Sequence, residues 1–497
     1  MNYSTFQDFV GAARSGRAGI LAANALNSRT NIYNSKASTH LPNEGVAPAV
    51  FPGHHLYVML QLTKQLTTSS DNLKRQKNIK ILAELTQGVR NIVRDGFEGA
   101  LLEAQGPVIH AFIPDEDGFS ADPFEAALAI HAFVNKRIKA MADDSFVKAI
   151  VSYCHGPSIF VASVDLHGDN SIVSLAPAAN APAKVLWTKT DELPSGSIVE
   201  VELDGSYRVK SKSDISEVIT NFSKIGALNS RAASLPQMTL VEARELSVSQ
   251  VDAPDSPTVE DPQKSFSISI RADQDGFTKR VEEAFSNGRE AVDKLAHEFH
   301  AIMVHARTFC SDKRVIHLPW AGDCLNLLIA VDDREAYQEN RKRRIFEILT
   351  EFEKHMADEF PHIKWAFSCS AGDLESNQAC NTLVSRIRVG EMNLLLATGL
   401  PVERSLQAFA VESPLAGKGV LWKEDVAWLD PDFQAIIEPC PGGRNFRQFL
   451  VSGILQAQKK KALAATLLAP PSVYVPTKAQ ERLISQPVPT SRPYGSD

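Results

Sequence analysis

The chain carries one arrangement of motifs twice, and a tandem duplication limits its fold more tightly than any single motif does. In ALLEAQGPVIHAF a Gly-Pro turn separates two strand-like runs, and RVIHLPWAGDCLNLLIAV repeats the pattern around Gly-Asp. Gly106 lies 50 residues before Gly156 (KAIVSYCHG), and Gly322 lies 50 residues before Gly372 (KWAFSCSAG). A lysine, Lys148 or Lys364, stands eight residues before the second glycine in each copy. Between hairpin and strand each copy has one long amphipathic run, PFEAALAIHAFVNKRIKAMA or REAYQENRKRRIFEILTEFEKHM. KVLW (Lys184–Trp187) and GVLW (Gly419–Trp422) close the two blocks. Each block reads strand, helix, hairpin, helix, strand. The expected class is α+β, with two copies of a ferredoxin-like β-α-β-β-α-β fold, each an antiparallel sheet with its helices on one face. Two such sheets in one chain form an intramolecular pair with a cleft between them.

The 497 residues divide accordingly. Residues 1–45 are an N-terminal arm, 46–224 the first domain and 225–265 a Pro- and Ser-rich linker; 266–457 are the second domain and 458–497 a Pro-rich tail. Lys+Arg 52 against Asp+Glu 59 leaves a net charge of −7, so no DNA or RNA partner is expected. The six cysteines have no CxxC spacing, which argues against structural zinc and for a reducing compartment. The N-terminus lacks a signal-peptide core, and no apolar run reaches the ~18–20 residues needed to span a bilayer. A cytoplasmic protein with no membrane partner is expected.

The chemistry concentrates at the start of the second block. SFSISIR reads as a strand, with Asp273 and Asp275 at its end; Gly276, Phe277 and Thr278 lead into a helix whose N-terminal N–H groups suit an anion. Asp323 sits at the hairpin tip AGDC. If strand and hairpin are neighbours, Asp273 and Asp323 converge beside that helix. Mg²⁺ suits such a site, because it takes few protein oxygens and completes its shell from phosphates. Read singly, ADQDG is also an ordinary helix cap and AGDC an ordinary turn. Their corresponding places in the repeat favour a site.

At these residues the sequence resembles the class III nucleotidyl cyclases. ADQDGFT stands where that family has A-D-x-x-G-F-T, AGDC where it has its Gly-Asp hairpin, and YCHG and SCSAG where it has a G-I-H-x-G strand. The resemblance covers about 50–190 and 266–430. It implies that Asp273, Gln274 and Asp323 hold two Mg²⁺ or Mn²⁺ ions on a nucleoside triphosphate. Gly276, Phe277, Thr278 and Lys364 would contact its phosphates. The product would be a 3′,5′-cyclic nucleotide and pyrophosphate. In the first block the metal positions are Gln61 and Pro107, which leaves that half for nucleotide recognition and makes the chain a fused pseudo-heterodimer. Glu103 falls where guanylyl cyclases read the base; it also reads as a solvated glutamate on a hairpin strand. The family's Asn-x-x-x-Arg has no counterpart in GDNSIVSLAPAANAPAK, where the two registers give Ile172 and Ala176 or Ser171 and Leu175. Asn170 and Lys184 are nearby substitutes, and the second block has Glu403 and Gln407 in these places. Such departures resemble the bacterial Pycsar antiphage cyclases, which implies cyclic UMP or cyclic CMP as product and a product-activated effector protein as partner. The alternatives are a purine cyclase, a pseudocyclase that binds nucleotide as a regulatory module, and a scaffold. Whether two fused chains pair into a homodimer stays open.

Overall fold

The computed structural model describes residues 5–14, 46–62, 72–105, 108–115, 146–162, 171–176, 183–186, 197–201, 207–211, 257–259, 261–331, 333–372, 380–412, 414–441 and 445–468, with scattered helical residues between 126 and 140. Its first sheet contains β1 (Ala49–Leu62), β2 (Ala100–Gln105), β3 (Val108–Pro114), β4 (Phe146–Ala162), β5 (Ile172–Leu175), β6 (Ala183–Leu186), β7 (Ser197–Val201) and β8 (Tyr207–Ser211). The second contains β9 (Thr258–Val259), β10 (Gln263–Gln274), β11 (Ile316–His317), β12 (Leu325–Val331), β13 (Trp365–Ser370), β14 (Thr382–Val389), β15 (Met392–Gly399), β16 (Lys418–Trp422), β17 (Glu438–Pro439) and β18 (Phe446–Leu450). The strand orders are β2-β3-β1-β4-β6-β8-β7 and β11-β12-β10-β13-β16-β18-β17, the same path slot for slot. The duplication read from the sequence is therefore a duplication of strand order.

The helices follow from hydrophobic periodicity. Helix α1 spans 6–14, α2 Asn72–Phe97, α3 Phe277–Asn287, α4 Arg289–Lys313, α5 Arg334–Glu359, α6 Leu400–Glu412 and α7 Val451–Leu468. In β10 the alternation of QKSFSISIRADQ sends Phe266, Ile268, Ile270 and Ala272 into the core shared with α3, α4 and α5. Ser267, Ser269, Arg271 and Asp273 fall on the opposite face, where α6 docks through Ser405: its Oγ lies 2.8 Å from Ser269 Oγ and its carbonyl accepts from Ser368 Oγ at 2.7 Å. In the first sheet Leu56, Val58 and Leu60 face α2.

The two halves exchange hairpins. Leu383, Ile387, Val389, Met392, Leu394 and Leu396 of β14–β15 share a core with α2. In return Ile159, Val161, Val173 and Leu175 of β4–β5 share one with α4. Each fully buried aliphatic side chain contributes about 1.5–3 kcal/mol relative to exposure, so the halves stabilise each other through these arms. The tip of the second arm is Gly390-Glu391, whose carboxylate pairs with both Arg14 and Arg90 of the first half. Gly390 has φ 58° and packs against the Arg90 guanidinium, so a side chain there meets both strain and a clash.

Several expectations need correction. The strand that holds Gly156 runs on to Ala162, which makes the exchanged arm of the first half a continuation of β4. The two VLW strands occupy the same slot in opposite directions: β6 is antiparallel to β4, whereas β16 is parallel to β13. The connections differ as well: residues 176–182 join β5 to β6, whereas 400–417 between β15 and β16 hold α6. Helix α7 crosses the expected tail boundary at 458, and β9 and the start of β10 lie in the stretch taken as linker. Among the described residues no helix is long and apolar enough to cross a membrane.

Candidate active site

Asp273 is the penultimate residue of β10, opposite Ala366 of β13. The pairing of Ala272 with Leu325 sets it beside the turn Ala321–Cys324, which closes on itself through backbone bonds of 2.9 and 3.0 Å. Gly322, at φ 58°, supplies the left-handed residue that so tight a turn needs. Strand and hairpin are neighbours, and the two carboxylates converge.

Their electrostatics show the convergence. Burial, then the adjacent Asp273 carboxylate, push the Asp323 carboxyl up to about 8, against the pull of its own N–H, the Gln274 N–H and Arg271. Asp273 is also raised, mainly by burial; Arg271 and a hydrogen bond donated by the Cys324 thiol oppose this. Two carboxyls that repel each other when ionised, with Arg271 offsetting only part of the cost, leave room for added positive charge, and oxygen donors suit a hard divalent cation. Among the described residues no cluster of three or more acidic, histidine or cysteine side chains forms a metal cage. A carboxylate pair fits Mg²⁺ or Mn²⁺ that draws its remaining ligands from phosphate and water.

The other expected residues are distributed as follows. The Gln274 side chain is buried and turned away from the pair, with Oε1 accepting from Arg280 at 3.3 Å. Its backbone N–H supports Asp323. Gly276, at φ 70°, opens α3 without a side-chain cap, and Thr278 in the first turn is exposed. Phe277 is buried against Phe299, with ring centroids 5.5 Å apart, so it anchors the helix. The Lys364 carbonyl accepts from the Asp275 N–H at 2.9 Å, while its ammonium donates to the Pro361 carbonyl at 3.1 Å. That ammonium is also the charge opposing the burial of Glu353.

In the first half Glu103 is buried, and burial raises its carboxyl to about 8. It belongs to a hydrogen-bonded row with His110, His55 and Ser158 on the sheet face that α1 covers. Ser171, Ile172 and Leu175 are all buried at β5, so neither register there can present an orienting amide and a cation to a ligand. Pro107 and Asn170 lie outside the described residues. Glu403 of α6 is raised to about 8 by burial and faces Arg75 of α2 across the halves, whereas Gln407 is exposed.

Three contributors escaped the sequence reading. Arg271 shares the face of Asp273 through the two-residue period of β10, and its guanidinium lies 5.7 Å from the Phe409 ring of α6. The period was legible; the residue's importance depends on α6. The Cys324–Asp273 contact and the row ending at Ser158 join residues from different strands, which no local pattern marks.

A class III adenylyl cyclase-like ATP-binding protein from Pseudomonas aeruginosa matches over 92% of this chain and 100% of its own, with TM-score 0.51 and 13% identity. The adenylyl cyclase CyaB of the same organism matches 38% of this chain and 95% of its own, with TM-score 0.28 and 12% identity. The guanylyl cyclase Cya2 matches 38% and 92%, with TM-score 0.27 and 8% identity. No protein-family model matches the sequence, and no curated protein does. The full-length match shows the fold, that of a class III cyclase-like protein.

Proposed function

We propose that the protein binds a nucleoside triphosphate with two divalent ions at Asp273 and Asp323 and converts it to a 3′,5′-cyclic nucleotide and pyrophosphate. The observation that carries this is the half-buried, mutually repelling carboxylate pair beside the uncapped N-terminus of α3. Mg²⁺ or Mn²⁺ held there supplies charge neutralisation of the phosphates and acidifies the attacking ribose hydroxyl. Asp273 and Asp323 hold the cations, with the Gln274 N–H and the Cys324 thiol fixing the carboxylates. The first N–H groups of α3 receive phosphate oxygens. The second half thus holds the metals, and the first half, through Glu103, faces the base.

The finer reading is a pyrimidine nucleotide, UTP or CTP, with a product that activates an effector in antiphage defence. Glu103 supports the base assignment, since a carboxyl can meet the N3 position of either pyrimidine. A second reading, a nucleotide-binding pseudocyclase, is favoured by one observation: the 176–182 connection is too short for the helix that would carry an orienting Asn and a transition-state Arg. Loss of such a donor typically costs ~10²–10³ in rate.

The test is purified protein with Mn²⁺ and each of ATP, GTP, CTP and UTP, analysed by mass spectrometry, with Asp273→Ala as control. A cyclic pyrimidine that disappears in the variant upholds the full reading. A cyclic purine keeps the site and removes the pyrimidine preference. Metal-dependent binding of triphosphate without any product selects the pseudocyclase.

A further inference from the structure

Across the first sheet, four side chains from four strands form one continuous row. Ser158 Oγ of β4 lies 2.7 Å from His55 Nε2 of β1, and His55 Nδ1 lies 3.0 Å from His110 Nε2 of β3. His110 Nδ1 lies 3.4 Å from Glu103 Oε1 of β2. All four are at most 8% exposed. The row is walled by aromatic rings, with Tyr57 stacked on His110 at 3.9 Å and Phe112 at 4.8 Å from His55. Its last atom, Glu103 Oε2, is buried and has no hydrogen-bond partner among the described residues. A buried carboxyl oxygen left in this state costs roughly 1–3 kcal/mol, which a polar ligand would recover.

The charged groups around the row belong to other pairs. Helix α1 contributes Arg14, which donates to the Leu101 carbonyl and pairs with Glu391. β1 contributes His54, 2.9 Å from Asp115 beyond the end of β3. Burial holds His110 neutral, near 3, and favours the neutral Glu103 acid. With each member carrying its neutral complement of protons, the row has two consistent directions. In one, the Ser158 hydroxyl donates to His55 Nε2, His55 Nδ1–H to His110 Nε2, and His110 Nδ1–H to Glu103 Oε1, leaving Oε2–H as an outward donor. In the other, Oε1–H donates to His110 Nδ1, His110 Nε2–H to His55 Nδ1, and His55 Nε2–H to Ser158 Oγ, leaving Oε2 as an outward acceptor. In the exchange Ser158 passes its proton to His55 Nε2, His55 its Nδ1 proton to His110 Nε2, and His110 its Nδ1 proton to Glu103 Oε1, while the Oε2 proton leaves to water and Ser158 Oγ regains one from water, so both end states carry the same protons and no charge is created.

We infer that Ser158, His55 and His110 form a reversible proton wire that lets Glu103 Oε2 meet a nucleobase as either donor or acceptor, so that one site accepts both pyrimidines. Cytosine N3 is an acceptor and takes the Oε2–H direction. Uracil N3–H is a donor and takes the other. This rests on the proposal that Glu103 faces the base of a bound nucleotide.

The wire makes a correlated demand: His55 and His110 always share a tautomer, both Nδ1–H in the first direction and both Nε2–H in the second. The experiment is nitrogen NMR of full-length protein labelled at histidine, with Mg²⁺ and either 3′-deoxy-CTP or 3′-deoxy-UTP, which lack the hydroxyl needed to cyclise. Calorimetry measures binding alongside. Both histidines Nδ1–H with the cytidine analogue and both Nε2–H with the uridine analogue is the expected result. Opposite tautomers, an imidazolium at either position, or one unchanged pair with both analogues bound overturns the wire and leaves the nucleotide site standing. Binding of neither analogue overturns the site and the wire together. In a second arm, His110→Phe should change the ratio of affinities for the two analogues by ~10-fold. A ratio within twofold of the parent, with both still binding, also overturns the inference.

Discussion

In the second half, the sheet face away from α4 and α5 carries Ser267, Ser269, Arg271 and Asp273, and α6 lies over it through Ser405 and Phe409. In the first half the matching face carries His55, Phe112 and Phe160, and the N-terminal helix α1 lies over it instead. Phe6 fills the space, its ring 4.9 Å from Phe112 and 5.1 Å from Phe160. The strand order is common to both halves, yet one face carries a carboxylate pair and the other a neutral polar row between aromatic rings. The strand in the β6 slot also runs opposite to its counterpart β16, and the N-terminal segment α1 covers the face that α6 covers in the second half. A duplicated fold can thus keep its strand order while one strand reverses and a different helix covers one face of the sheet.

The largest effect expected from breaking this asymmetry is on turnover. Asp273→Ala or Asp323→Ala should lower cyclic-nucleotide formation by at least ~10³-fold, while Gln61→Asp in the first half should change it less than twofold, both by single-time-point mass spectrometry. Equal losses in the two halves would show that activity does not reside in the second alone.

Next in size is the clasp between the halves. Glu391→Ala leaves two buried guanidinium groups, of Arg14 and Arg90, without their carboxylate, and should cost about 1–3 kcal/mol in a denaturant titration. Gly390→Ala should cost about 1–2 kcal/mol, from its left-handed φ and the Arg90 contact. Neither change touches the carboxylate pair, so metal affinity should stay within about twofold of the parent.

The carboxylate pair should also make the metal-free protein sensitive to alkali. A carboxyl raised to about 8 in the folded state, above its unfolded value, binds more protons folded than unfolded, so stability falls as pH rises toward 8. Asp323→Asn removes this term and should raise the metal-free melting temperature at pH 8.5 by at least ~2 °C relative to the parent, with a smaller difference at pH 5. Mn²⁺ binding, which needs both carboxylates ionised, should tighten from pH 6.5 to pH 8.5 in the parent. The smallest expected effect is that of Cys324→Ala, which removes the donor to Asp273 and should weaken Mn²⁺ binding by only ~3–10-fold, measured by calorimetry.

Much of this was legible from residues alone. The 50-residue spacings located both hairpins, and the alternation of SFSISIR placed β10 and the face of Asp273. The acidic tips ADQDG and AGDC were visible, and the fold brings them together because β10 and β12 are hydrogen-bonded neighbours. The basic run at 341–344 illustrates the limit. Lys342, Arg343 and Arg344 make the surface pairs expected of a solvated helix face, but Arg341 is buried with its guanidinium 3.6 Å from the Trp428 ring, 87 residues away in sequence.

The sequence by itself determined the duplication, the α+β class and the two aspartates, because periodicity and turn chemistry act over a few residues and repeat wherever the sequence repeats. Tertiary structure alone decided that the halves exchange hairpins, that β6 runs against its counterpart and that α1 covers the first sheet where α6 covers the second. It also decided that Glu103 ends a row of neutral side chains. These depend on which strands become neighbours and on how long the connections between them are, and burial then sets the charge of each group that results.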